Sequence, residues 1–301
     1  MVLPAARGQR RWTLTHRGAV AVMVAVCLMW SIAGVITRQL QDTRSFEATF
    51  WRSSFTVLFL SLIVAAVQGR TALAKFRAGG PALWLSGLCW AVMFTAYMLA
   101  LTLTTVANVL VTMAIGPFLT AIVARIFNGQ RIAARTWAAI LAAGVGIASM
   151  YASQLTSGGL AGTLVALCVP LAGAANWTVT QRSHLRGDDV DFIPALLLGA
   201  ALSALATLPL AVPLSAPAGD ISLLALLGLV QLAIPCALAV QCARVLAPPE
   251  IALLALLEVV FGIALAWAIV GEAPGLPVLV GGAIVIGALA ANELVAWRRP
   301  S

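Results

Sequence analysis

The chain has 301 residues, of which 62% are hydrophobic and 9% charged, with a mean hydropathy of +1.02 and a formal net charge of +8. Soluble domains carry about 25% charged residues, so there are too few charges here to cover a water-facing surface, and the solvent for most of the chain is lipid. The basic excess falls in small groups between apolar runs, as in loops that flank a membrane, and no nucleic-acid partner is expected.

Arg7, Arg10, Arg11 and Arg17 precede the first apolar run, as in the positive segment of a secretory signal. That run continues from Gly18 to about Thr37, beyond the 7–15 residues of a cleaved signal, and predicts a permanent span. A spanning helix needs about 20 mostly apolar residues, because each rises 1.5 Å through a core of about 30 Å. Ten windows qualify: 18–37, 47–67, 81–101, 106–127, 136–153, 159–180, 192–212, 221–243, 250–270 and 274–296. They lack the strict alternation of barrel strands and are twice too long for them. The expected fold is therefore an all-α polytopic membrane protein with ten transmembrane helices.

Arginine and lysine set its orientation. With ten spans, fifteen of the 18 basic residues fall on the side that holds both termini. The opposite side has Arg38 and Arg44, and Arg52 falls inside the second window. This bias predicts cytoplasmic termini, in the inner (plasma) membrane.

An internal repeat is visible. The segment from Asn108 through Pro117 and Phe127-Asn128-Gly129-Gln130 leads into an apolar run with Gly144 and Gly146. Its later counterpart runs from Glu250 through Glu258 and Val270-Gly271-Glu272 into a run with Gly281, Gly282 and Gly287. Gly129 and Gly271 are 142 residues apart, and Met29-Trp30-Ser31 and Asn176-Trp177-Thr178 are 147 apart. The expected organisation is a cytoplasmic segment 1–17, a five-helix repeat 18–153, a second repeat 159–296 and a cytoplasmic tail 297–301. Five is odd, so the second repeat enters the membrane inverted. Inverted repeats are a mark of secondary transporters, with the substrate site near the midplane between the halves.

Two five-helix units, each with a glycine-containing turn before a last glycine-bearing helix, resemble the EamA-type drug/metabolite transporters. Ala255-Leu256-Leu257-Glu258-Val259-Val260 followed by Val270-Gly271-Glu272 carries most of the resemblance, with Ile115-Gly116-Pro117-Phe118 and Asn128-Gly129-Gln130 as the first-half counterpart. Trp30 and Arg52 stand where that family often has a tryptophan and an arginine. Gln130 replaces the usual glutamate of the first turn, and Val259 the proline that commonly follows the ninth-helix glutamate. The resemblance implies a ten-helix carrier that exports or exchanges metabolites, amino acids or toxic compounds.

Two charges fall inside the predicted spans, where each costs about 2.5–3.5 kcal/mol on insertion scales. Glu258, near the middle of the ninth window, suits a carboxylate that binds a proton or a substrate ammonium, or one that pins helices together. Arg52, about two turns into the second, suits pairing with Glu258, binding a substrate carboxylate, or snorkelling to headgroups. If both face one cavity, a zwitterion fits them. Trp30, Tyr97, Asn108, Asn176, Trp177 and Gln231 are further substrate-binding candidates, since polar and aromatic groups at depth need partners or line a cavity. Pro117, Pro170, Pro209 and Pro235 interrupt apolar windows, and Pro117 and Pro235 are the candidates for gating.

The five cysteines lie in apolar runs without metal or redox spacing, no GxxxxGK[ST] loop is present, and neither a cofactor nor a metal is expected. His16 and His184 lie in cytoplasmic segments, and the chain has no H-E-x-x-H or G-x-S-x-G motif, which argues against a membrane enzyme. A secondary carrier for small polar metabolites such as amino acids accounts best for these features. A multidrug efflux carrier, a channel and a scaffold subunit are the alternatives. The expected partners are a small-molecule substrate, the bilayer and protons as a candidate coupling ion, in a monomer or homodimer.

Overall fold

The structure is a computed structural model that describes residues 14–68, 76, 79–104, 106–113, 115–129, 132–151, 160–188, 190–270 and 276–297. Residues 7–11, Gln130, Gly271 and Glu272, the side chain of Asn108, and the ends of the two proposed repeats at 152–159 lie outside the described residues.

Each of the ten apolar windows is helical over most of its described residues, and no strand occurs among them. The first window holds α1 (His16–Trp30) and α2 (Ile32–Thr37). The Thr15 hydroxyl caps α1 by accepting from the Gly18 N–H at 3.2 Å. α3 (Ser45–Gln68) and α4 (Gly80–Leu103) follow. The fourth window is broken into α5 (Val106–Met113) and α6 (Gly116–Asn128). Gly129 ends α6 at φ 65°, a left-handed conformation that costs a glycine little.

α7 (Ala134–Tyr151), α8 (Leu160–Leu185) and α9 (Ile193–Ala211) come next. α10 (Ala218–Leu226) runs through a π-helical stretch, Leu227–Ala233, into α11 (Ile234–Cys242). The ninth window is broken again, into α12 (Pro248–Ala255) and α13 (Leu257–Leu265), before π-helical Ala266–Val270; α14 (Leu276–Trp297) is the last helix.

Seven helices among the described residues are long and apolar enough to cross a membrane: His16–Thr37, Ser45–Ala66, Gly80–Leu103, Ala161–Leu185, Ile193–Ala211, Ala218–Cys242 and Pro248–Ile269.

The most extensive packing joins α7 to α14, α4 to α8, and α9 to both α3 and α4. α6 packs on α8 and α12, α1 on α11, α12 and α13, and α3 on Leu227–Ala233. Small residues permit the closest approaches, as expected where lipid offers apolar side chains no gain from burial. A Cβ on Gly199 of α9 would lie 2.4 Å from the Trp90 Cβ and 2.9 Å from the Gly87 carbonyl oxygen of α4. One on Gly146 of α7 would lie 2.7 Å from the Gly281 carbonyl oxygen of α14.

The connection between α2 and α3 is tied to that between α9 and α10 by two buried carboxylates, Glu47 and Asp220, and the exposed Arg44. Glu47 accepts from the N–H groups of Ser215 and Ala216 at 2.6 and 2.7 Å. Asp220 accepts from the N–H groups of Gln41 and Asp42 and from the Thr43 hydroxyl, the last at 2.6 Å. Arg44 donates to the carbonyls of Ala211 and Pro213, each at 2.6 Å.

Candidate functional site

A cavity of about 160 Å³ lies among α1, α3, α4, the two broken helices, α8 and the segment from Gln231 to Cys236. Most of its wall is apolar, and the polar groups that reach it are few.

Arg52 lines it from α3 at 1% exposure. Its Nη2 donates to the carbonyl oxygen of Phe94 on α4 at 2.5 Å, while Nε and Nη1 are buried with no hydrogen-bond partner. The expectation left three roles open. Burial rules out snorkelling, and no ion pair joins Arg52 to Glu258 among the described residues. Leaving a charged donor buried and unsatisfied costs on the order of 1–3 kcal/mol or more, and the two bare nitrogens face this cost among the described residues. Local backbone contacts hold the arginine in place: the Thr56 hydroxyl donates to the Arg52 carbonyl at 2.8 Å, and Gly228 packs against the same turn.

Glu258 lines the cavity from the first turn of α13, at 8% exposure. Its Oε1 accepts from the Tyr97 hydroxyl at 3.2 Å. Tyr97 lies one turn beyond Phe94 on α4, so the same helix face holds Arg52 through a carbonyl and Glu258 through a phenol. Thus two charges that come from different helices are both held on a third.

Aromatic rings form the walls. Trp177 of α8 meets Trp90 of α4 edge-on, with centroids 5.6 Å apart, and Trp90 packs on Phe94 at 5.4 Å. Trp30 lines the cavity from the end of α1, and Gln231 from the π-helical stretch with its Oε1 unpartnered. A π-helical turn displaces the backbone from α-helical register and so sets how Gln231 is presented.

The structure therefore brings Trp30, Arg52, Tyr97, Trp177, Gln231, Glu258 and Pro117 to one cavity. Asn176 and Pro235 do not line it. Asn176 is fully buried and accepts from the Ser86 hydroxyl at 2.7 Å, joining α8 to α4. Pro235 is buried in the first turn of α11. Asn108 stands in α5, its side chain outside the described residues.

Sequence reasoning missed Trp90, Phe94, Gly116, Thr120 and Cys236 as lining residues. The mid-window positions of Trp90 and Phe94 were the available signal. Among the described residues no group of three or more His, Cys, Asp or Glu is placed to hold a metal.

Residues 17–152 match the model of the EamA-like transporter family. Over that part the resemblance read from the sequence is shown. Among curated proteins, none matches the chain. Of the 28 solved chains that match, one, a crystal structure described only as that of a protein, is 18% identical with a TM-score of 0.73. The alignment covers 95% of this chain and 100% of that one, a likeness of fold.

Proposed function

We propose that this chain, an EamA-like transporter unit over residues 17–152, is a secondary carrier that moves a small polar metabolite, such as an amino acid, by exposing one midplane cavity to alternate sides of the membrane. The observation that carries the reading is the fully buried Arg52, with two bare nitrogens, opening on the same cavity as Glu258 without pairing to it. A zwitterion supplies what both lack: its carboxylate meets the guanidinium, and its ammonium meets Glu258.

The packing supports two exchangeable halves. With the ten windows numbered in order, adding five to a window of the first half turns each major contact into another. Three with six becomes eight with one, and four with six becomes nine with one. Two with seven, four with nine and five with ten map onto themselves. Breaks fall in the corresponding fourth and ninth windows, while a further break at Ser31 of the first has no counterpart in the sixth, which is one helix over Leu160–Leu185. The pattern of contacts is the one expected of an inverted repeat with its site at the interface. The arginine bias supports cytoplasmic termini and an inner-membrane location.

The test is counterflow in proteoliposomes with labelled amino acids. Saturable uptake, accelerated by unlabelled substrate inside and lost in Glu258→Gln protein that inserts normally, is the expected result. Current that does not saturate would identify a channel, and full activity of Glu258→Gln would remove that carboxylate from the mechanism. The apolar, aromatic wall favours a second reading, efflux of hydrophobic compounds. That reading predicts uptake indifferent to the substrate's carboxylate.

A further inference from the structure

The two broken helices differ in one respect that bears on the ligand. Gly116 and Glu258 are 142 residues apart, the spacing of Gly129 and Gly271. Both stand in the first turn of the helix that follows a break, Gly116 in α6 and Glu258 in α13, and both line the cavity. The first turn of a helix presents N–H groups without intrahelical acceptors and the positive end of the dipole. An anion there is stabilised.

In α13 that anion is part of the chain, Glu258. In α6 the first turn has no acidic residue. Among the described residues the Gly116 N–H has no backbone acceptor. Thr120, one turn further and 1% exposed, also lines the cavity. The same cavity holds the unpartnered Arg52 Nε and Nη1 and the unpartnered indole N–H of Trp90. Against these donors stand the Gln231 carbonyl oxygen, unpartnered, and Glu258, which already accepts from Tyr97. Donors outnumber acceptors, and the helix end that lacks its own carboxylate lies among them.

We propose that the start of α6, through the Gly116 N–H and the Thr120 hydroxyl (Pro117 has no N–H, and Leu119 donates to Ile115), joins Arg52 in seating the anionic group of the substrate, a carboxylate, where the second half seats Glu258. The site deepens the carrier reading and rests on it. The ligand is a monocarboxylate or zwitterion with a compact apolar body. An engineered cavity of about 150 Å³ holds benzene, so a volume of about 160 Å³ limits the ligand to roughly that body plus its polar groups.

The experiment uses two series, each sharing one apolar body: leucine, 4-methylpentanoate and 3-methylbutylamine, and phenylalanine, 3-phenylpropanoate and 2-phenylethylamine. Thermal stabilisation of the purified full chain gives affinity, and uptake into proteoliposomes gives transport. In the wild type the carboxylate-bearing members of at least one series stabilise the protein. Gly116→Asp brings a carboxylate to the same turn, where an added Cβ meets only the Pro170 Cβ at an ordinary 3.5 Å. It is expected to weaken carboxylate binding at least tenfold and leave amine binding unchanged or stronger.

Should Gly116→Asp fail to fold, Thr120→Val removes one hydroxyl at nearly constant shape. It is expected to weaken carboxylate binding about fivefold, the worth of one hydrogen bond. Unchanged carboxylate binding in the variant that folds overturns the proposal. Saturable uptake of the amines alone overturns it while leaving the carrier reading intact. Neither stabilisation nor saturable uptake with any of the six compounds overturns both.

Discussion

Replacing Glu47 by alanine tests whether the tie between the α2–α3 and α9–α10 connections contributes to stability. Glu47 is 0% exposed, and one of its oxygens accepts two short bonds, 2.6 and 2.7 Å, from the backbone N–H groups of Ser215 and Ala216. The other accepts from the Ser215 hydroxyl at 3.4 Å and lies 3.8 Å from Arg44. A hydrogen bond to a charged group is worth about 1.5–3 kcal/mol, so two at the low end give about 3 kcal/mol. Relief from burying the carboxylate offsets part of this, leaving about 2–3 kcal/mol. At about 2–4 °C per kcal/mol for a large domain, Glu47→Ala is expected to lower Tm by about 5–8 °C. Glu47→Gln keeps an oxygen that can accept from both N–H groups but loses the charge and the second acceptor, which meets the Ser215 hydroxyl and Arg44 at 3.4 and 3.8 Å, so its Tm should fall by about half as much. Cys27, Cys89, Cys236 and Cys242 are free and buried while Cys168 is free and exposed, so in a Cys168→Ser background a thiol-reactive dye in detergent reads unfolding. A Tm within about 2 °C of wild type for Glu47→Ala, below the shift expected for 1 kcal/mol, or a larger loss in Glu47→Gln than in Glu47→Ala, would refute the reasoning.

Gly199→Ala forces a methyl group to within 2.4 Å of the Trp90 Cβ and 2.9 Å of the Gly87 carbonyl oxygen. Overpacking of this kind costs about 1–3 kcal/mol, and because Trp90 is a cavity wall, both Tm in the dye assay and ligand affinity should fall; an unchanged Tm would contradict the close crossing of α4 and α9. Tyr97→Phe keeps the ring and removes the donor to Glu258, so amine-bearing ligands should bind about fivefold differently while Tm stays near wild type. Equal affinities for the amine and carboxylate series in wild type and variant would show that the phenol does not position Glu258.

The helices were legible because hydropathy and length are properties of a window, and all ten windows are helical over most of their described residues. The breaks were not. Pro117 marks that of the fourth window within two residues, but that of the ninth falls at Leu256, between Ala255 and Leu257, all strong helix formers. Tertiary packing, rather than local preference, must set that break. Arg52 and Glu258 were legible as special because a buried charge is costly wherever it sits, although which of three roles Arg52 takes depended on where its side chain ends. The rings show the limit of depth as a guide. Trp90 is 3% exposed and lines the cavity, while Trp84, six residues earlier on the same helix, is 53% exposed. An aromatic residue in an apolar window has the same character whether it faces lipid or a ligand. Asn176 is a related case: an amide at depth needs partners, and Ser86 donates to its oxygen across the α4–α8 contact while its Nδ2 is buried without one among the described residues. Glu47 and Asp220 sit at window ends, where an acidic residue reads as solvated until the opposite loop is in place.

The arrangement on α4 explains how one cavity keeps two opposite charges available. Left alone in a medium of low dielectric, a guanidinium and a carboxylate attract strongly. A collapsed pair would satisfy both and leave little for a zwitterion to gain. Here each charge is held by a neutral group instead, Arg52 by the Phe94 carbonyl and Glu258 by the Tyr97 hydroxyl, one helical turn apart on one face. The spacing between the charges is thus set by α4 rather than by their attraction. Each of these bonds joins a charge to a neutral partner and is weaker than the bond between two opposite charges that a ligand can offer, and Arg52 keeps two nitrogens unused. In the proposed carrier, a substrate that engages both charges competes only with these weaker bonds. A shift of α4 alters both holds at once, which ties the occupancy of the cavity to the position of a helix packed on α8 and α9, both of the second proposed repeat.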